Sequence, residues 1–138
     1  MKKLPDWEDR FHLFLMRNRT RPFSWGDWDC CKFTNHAVRA ITGQDLIPDS
    51  LAWHDEESAL KAISGYGKTL GMSVQRAAIA AGLEKADKGD ARKGDVVVVK
   101  EFGKQAAGIC DGFAILCPSD GGYTYKPKGL SQRVFRIP

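Results

Sequence analysis

The chain predicts an α+β domain, with N-terminal helices followed by a small antiparallel β-sheet. Three observations carry this expectation. Apolar residues recur at helical spacing up to about residue 82. From residue 94 the texture turns β-branched, in the run GDVVVVKEF. Turn-forming pairs then divide the remainder into short strands, and segregation of this kind is the α+β arrangement. At 138 residues, one domain (1–138) with its own core is expected.

The elements follow in order. Over residues 5–19, Trp7, Phe11, Phe14 and Leu15 fall on one helical face, with Pro5 and Asp6 suited to the first turn. Pro22 and Gly26 break the pattern, and Phe23, Trp25 and Trp28 make that break a loop that packs. A second helix runs from about Cys30 to Ile41, with Asp29 as N-cap and Gly43 as its stop. Its buried face carries Cys30, Phe33, Ala37, Val38 and Ile41. DEESALKAISGYG gives a third helix, and TLGMSVQRAAIAAGL a fourth that closes at Gly82. EKADKGDARKGD mixes both charges and reads as a solvated linker. GDVVVVKEF is a central strand, and AAGICDGFAILC a hairpin with Asp111-Gly112 as a two-residue type I′ turn. GGYTYKP and QRVFRIP supply one or two more strands, and there is no internal repeat.

Charge and composition narrow the classes. The net charge of +4 comes from scattered basic residues, and no nucleic-acid module is present. Acidic residues interrupt the start MKKLPDWEDRFHLF, and no window reaches the roughly 18 apolar residues of a spanning helix. Synthesis and folding in the cytoplasm, without a membrane span, are therefore expected. Four cysteines are too sparse for a disulfide scaffold, so free thiols are expected.

The stretch PFSWGDWDCCKF concentrates the chemistry. A cysteine in the first turn of a helix lies at the positive end of the helix dipole, which favours thiolate. Cys30 holds that position if Asp29 is the cap, and the same N–H groups can hold an oxyanion. The alternative is a pair of core thiols behind an aromatic loop. A metal site fits poorly: Cys30 and Cys31 are adjacent and point about 100° apart on a helix. Cys110 and Cys117 lie on two arms of the hairpin, opposite Phe113 and Ala106 if the turn is at 111–112. A four-cysteine zinc or cluster site would require the hairpin to meet the helix start, and no metal or cofactor is expected.

A general base is harder to find. His12 lies on the first helix, and His36 sits about 9 Å and 240° along the second from Cys30. His54, in a connecting segment, is the histidine that could fold back to Cys30. Asp95 and Asp111 read as turn residues. Trp25 and Trp28 bracket the cysteines, either as core or as the floor of a groove. Phe23, Trp28, Arg133 and Arg136 are candidate interface residues, in the aromatic loop and the basic C-terminal strand.

An Asp-Cys-x-x-Phe helix start after a helical lobe, followed by a GDVVVV…GI…G sheet, resembles the NlpC-type papain-like cell-wall peptidases. The pattern Phe23-Ser-Trp25-Gly26-x-x-Asp29-Cys30-Cys31-x-Phe33, then Val38-x-Ala40-x-Thr42-Gly43-x-Asp45, resembles an uncharacterised phage and prophage family, a divergent branch of that superfamily. Weaker matches follow at Gly94–Val97, Gly108-Ile109 and Gly129-Leu130. The resemblance implies a papain-like fold, Cys30 as nucleophile, and Cys31 where the peptidases often carry serine. It also implies a histidine opening the His-Val-Gly-Ile strand, where this chain has Ala106, and no histidine follows His54. Two functions are therefore implied. One is a structural or assembly protein of a phage tail tip, with hub proteins as partners, made in the bacterial host and carried in the virion. The other is an active cysteine hydrolase cutting peptidoglycan stem peptides with an unrecognised base. An unrelated cytoplasmic binding module is a third reading.

Overall fold

The computed structural model describes residues 1–138. Four helices come first: α1 (Trp7–Arg17), α2 (Cys30–Thr42), α3 (Glu56–Gly67) and α4 (Leu70–Ala80). Six strands follow: β1 (Glu84–Ala86), β2 (Val96–Glu101), β3 (Lys104–Cys110), β4 (Ile115–Ser119), β5 (Gly122–Lys126) and β6 (Ser131–Arg136). They form one antiparallel sheet in the order β1-β6-β2-β3-β4-β5. A 3-10 turn at Lys128–Leu130 separates β5 from β6, so helical structure is not confined to the N-terminal half. The α+β class holds. No helix is long and apolar enough to cross a membrane.

α2 has the ends its sequence requires. Asp29 is extended and accepts from the Lys32 N–H at 2.9 Å, and Gly43 closes the helix at φ +78°. Phe33, Ala37, Val38 and Ile41 are fully buried against the sheet. The period-2 alternation of β2 divides the core. Val96 and Val98 face the helices, together with Ala107 and Ile109 of β3. Val97 and Val99 face the other side with Cys110, Ile115, Cys117 and Val134, where Ala91 and Leu130 cover them. Burial on both faces explains why GDVVVV is continuously apolar.

Three sequence expectations need correction. The type I′ turn is not at Asp111-Gly112 but at Phe102-Gly103, between Glu101 and Lys104, where both residues have positive φ (52° and 75°). Asp111 instead uses its side chain locally: Oδ1 accepts from the Phe113 and Ala114 N–H groups, both at 2.8 Å. The loop therefore spans residues 111–114, and Cys110 pairs with Ile115, while Cys117 pairs with Thr124 of β5. The third correction concerns EKADKGDARKGD. It carries edge strand β1 and buries Ala91 and Asp95, because Arg136 (2.8 Å) and the Arg92 N–H (2.8 Å) satisfy the Asp95 carboxylate.

The cleft at Cys30

The aromatic loop is fixed at both ends and in the middle. The Phe23 N–H donates to the Ser119 carbonyl at 2.8 Å, and Ser24 bridges to Trp28. Gly26 has φ +82° and packs directly on the His54 backbone, leaving no room for a side-chain carbon. Asp29, 1% exposed, joins three segments. Its Oδ2 accepts from the Gly26 N–H (2.9 Å) and the Trp53 indole N–H (2.8 Å), while Oδ1 holds Lys32. The spacing Gly26-x-x-Asp29-Cys30 is thus a device that sets the loop, the 51–55 segment and the start of α2 around one carboxylate.

Trp28 is not an interface residue. It is fully buried against Phe14 and Phe33, with the His36 ring tilted against it at 5.5 Å and the Arg21 guanidinium at 4.0 Å. Trp25 is 40% exposed and meets Phe23 edge-on at 5.0 Å. Arg133 and Arg136 also prove to be inward ties. Arg133 donates to Gln75 of α4 at 2.6 Å, and Arg136 holds Asp95 through two nitrogens.

Cys30 is the first residue of α2 and half-buried. The Cys31 thiol beside it holds its pKa below the ordinary thiol value, against the opposing effect of burial, and the Ala107 backbone and Cys31 N–H assist. The same contact, with burial, pushes Cys31 well up, so of the two thiols Cys30 is the one that ionises more readily. Burial raises Cys110, and it pushes Cys117, whose thiol donates to the Ala107 carbonyl, up to about 12. No group of three or more His, Cys, Asp or Glu side chains is placed to hold a metal ion.

Cys30 and Cys31 open on a cleft of about 770 Å³ walled by Trp25, Trp53, α3, the start of α4 and the β2–β3 hairpin. The structure therefore brings together Trp25, Asp29, Cys30 and Cys31, with Gly26 behind them. The His54 ring is not brought in. It is 85% exposed and lies 3.4 Å from Asp55, outside the cleft wall. His36 is committed to Trp28, and burial holds its pKa below the ordinary value, aided by Arg39 and Arg21. Ala106 packs into the second core cluster, and the β3 residue at the cleft is Gln105. Its amide is fixed between the Gly71 N–H (2.9 Å) and Gln132 (2.7 Å). Sequence reasoning missed Trp53 and Gln105. Trp53 was findable in principle, since a buried indole N–H needs an acceptor and a buried carboxylate needs donors.

The profile of a domain of unknown function (DUF6950) matches residues 2–137. The chain belongs to that family. No curated protein matches it. In this DUF6950 domain the geometry offers a thiol at a helix N-terminus, opening on a cleft. Cys31, the sealed Asp29 and lysine ammoniums are its only titratable companions in the cleft wall. That arrangement can bind and can react with electrophiles. It lacks an imidazole to protonate a leaving amine.

Proposed function

We propose that this protein is a tail-tip structural or assembly component of a phage, an NlpC-like papain-type domain whose catalytic base has been lost. The observation that carries the reading is the cleft itself. Its Cys30 thiol holds the helix-start position of a nucleophile, but no histidine lines the wall; the position that the resemblance gives to the base is Ala106, and the β3 residue in the wall is Gln105. Such a domain acts by being bound, with the hub and neighbouring tail-tip proteins as partners, in the host cytoplasm first and in the virion afterwards. The test is affinity purification of the tagged chain expressed from its own genetic neighbourhood. Tail-tip or hub proteins are expected at stoichiometric recovery, and Cys30→Ser is expected to leave that recovery unchanged. Absence of every tail protein from both lysate and particles overturns the reading.

A second reading, a cysteine hydrolase acting on peptidoglycan stem peptides, draws on the depressed Cys30 pKa and its open cleft. It requires hydrolysis of stem peptides by the purified chain that disappears in Cys30→Ser. No such turnover is expected.

A further inference from the structure

The cleft wall is electrostatically one-sided. Lys61, Lys68, Lys100 and Lys104 all line it, and each is exposed. Lys68, Lys100 and Lys104 pair with no carboxylate, and Lys61 shares only the exposed Glu57 at 3.6 Å. The one acid in the wall, Asp29, is buried with both oxygens engaged. Glu101, next to Lys100, is withdrawn onto Lys126 at 2.7 Å. Four cations thus line a concavity whose wall holds no accessible carboxylate, three of them without any ion pair, and such a surface recruits anions.

The floor is apolar. Beside the cleft, and sharing Cys31, Trp53 and Ile63 with it, lies a pocket of about 50 Å³ lined by residues such as Leu46, Pro48 and Val74. Trp25 and Leu60 add exposed apolar surface at the rim. Phe102, 95% exposed, is held in the left-handed region at the tip of the hairpin that supplies Lys100, Gly103 and Lys104 to the wall. That ring is free to meet a partner seated in the cleft. We infer that this cleft is the docking groove for an acidic polypeptide segment that carries an apolar anchor side chain and is presented by a partner protein. The inference rests on the binding role proposed above and names the chemistry of the partner. A single-stranded nucleic acid is disfavoured. The wall carries no arginine, the residue whose planar fork matches phosphate.

Fluorescence anisotropy of the full chain with labelled short peptides tests this. The probes are alternating Glu and Leu, the same peptide with Lys for Glu, the same with Ser for Leu, and an oligothymidylate. The Glu–Leu peptide is expected to bind and to weaken with added salt. The Lys–Leu peptide should show no binding, and the Glu–Ser peptide should bind about tenfold more weakly. Lys100→Glu with Lys104→Glu should reduce Glu–Leu binding by at least about tenfold. Bound Glu–Leu peptide should also slow alkylation of Cys30 by iodoacetamide, which locates it in the cleft without any substitution, should the double variant fail to fold. Equal binding of the Glu and Lys peptides, an alkylation rate unmoved by the Glu–Leu peptide, or tighter binding of the oligothymidylate overturns the inference. Peptide binding by a chain that recovers no tail protein would remove the tail assignment and leave the groove. Tail-protein recovery with no peptide binding would do the reverse.

Discussion

At the scale of the residue, Asp29 decides the site. One carboxylate replaces water for three donors, two of them backbone, and the aromatic loop, the 51–55 segment and α2 meet there. Asp29→Ala orphans those donors and is expected to cost on the order of 3–5 kcal/mol, read as a lower urea midpoint. A midpoint within error of the parent's would show that the three segments are held by packing alone. His36 gives a pH signature. Its folded pKa lies below its unfolded value because burial on Trp28 penalises the charged form. The stability it contributes is complete above about pH 6.5 and is lost as pH falls through the lowered folded value. The thermal midpoint should therefore fall between pH 7.5 and 5.5, above the range where carboxylates titrate. His36→Phe, which keeps an aromatic ring against Trp28, should flatten that part of the profile, and an equal fall in the variant would assign it elsewhere.

At the scale of the element, the two hairpin ends show what sequence can and cannot locate. Helix ends were legible because their signals are local: Asp29 and Gly43 each satisfy backbone groups within a turn of themselves. The I′ turn was misplaced because Asp111-Gly112 has the favoured composition, whereas Phe is a poor left-handed residue. Tertiary pairing decided otherwise. The match of Val96–Glu101 to Lys104–Ile109 leaves Phe102-Gly103 as the two residues between. Strand β1 was missed for the opposite reason, since its partner β6 lies some 50 residues away and no local pattern announces it. Phe102 has no packing to lose, so Phe102→Asn should raise stability by about 1 kcal/mol through relief of the left-handed strain. A guanidinium midpoint that fails to rise would place the Phe102 backbone outside that region. The same substitution would weaken peptide docking if the exposed ring contacts the partner, which separates its two effects.

At the scale of the whole molecule, the basic C-terminal strand and the cleft divide the work between folding and binding. A sequence-level view groups Arg133 and Arg136 as a surface patch, because sequence shows charge but not direction. Arg136 instead points into the sheet's second face, where it neutralises Asp95, a carboxylate 1% exposed at the turn that opens β2. That pair ties the last strand to the central one across 41 positions of chain. Replacing one partner of a buried pair leaves an uncompensated charge, a loss of roughly 3–5 kcal/mol. Arg136→Glu is therefore expected to unfold the domain at markedly lower urea, and any loss of partner binding in that variant would report folding, not contact. Lys100→Glu with Lys104→Glu changes two exposed side chains that form no ion pair and, with Lys104 opposite Glu101 in the register, should cost no more than about 1 kcal/mol. Urea denaturation of the two variants side by side checks this. If both lose stability equally, the hairpin lysines belong to the fold, and the separation of a structural strand from a binding cleft fails. If only Arg136→Glu does, the lysines are free for a partner, in keeping with the engagement of their neighbour Glu101 by Lys126.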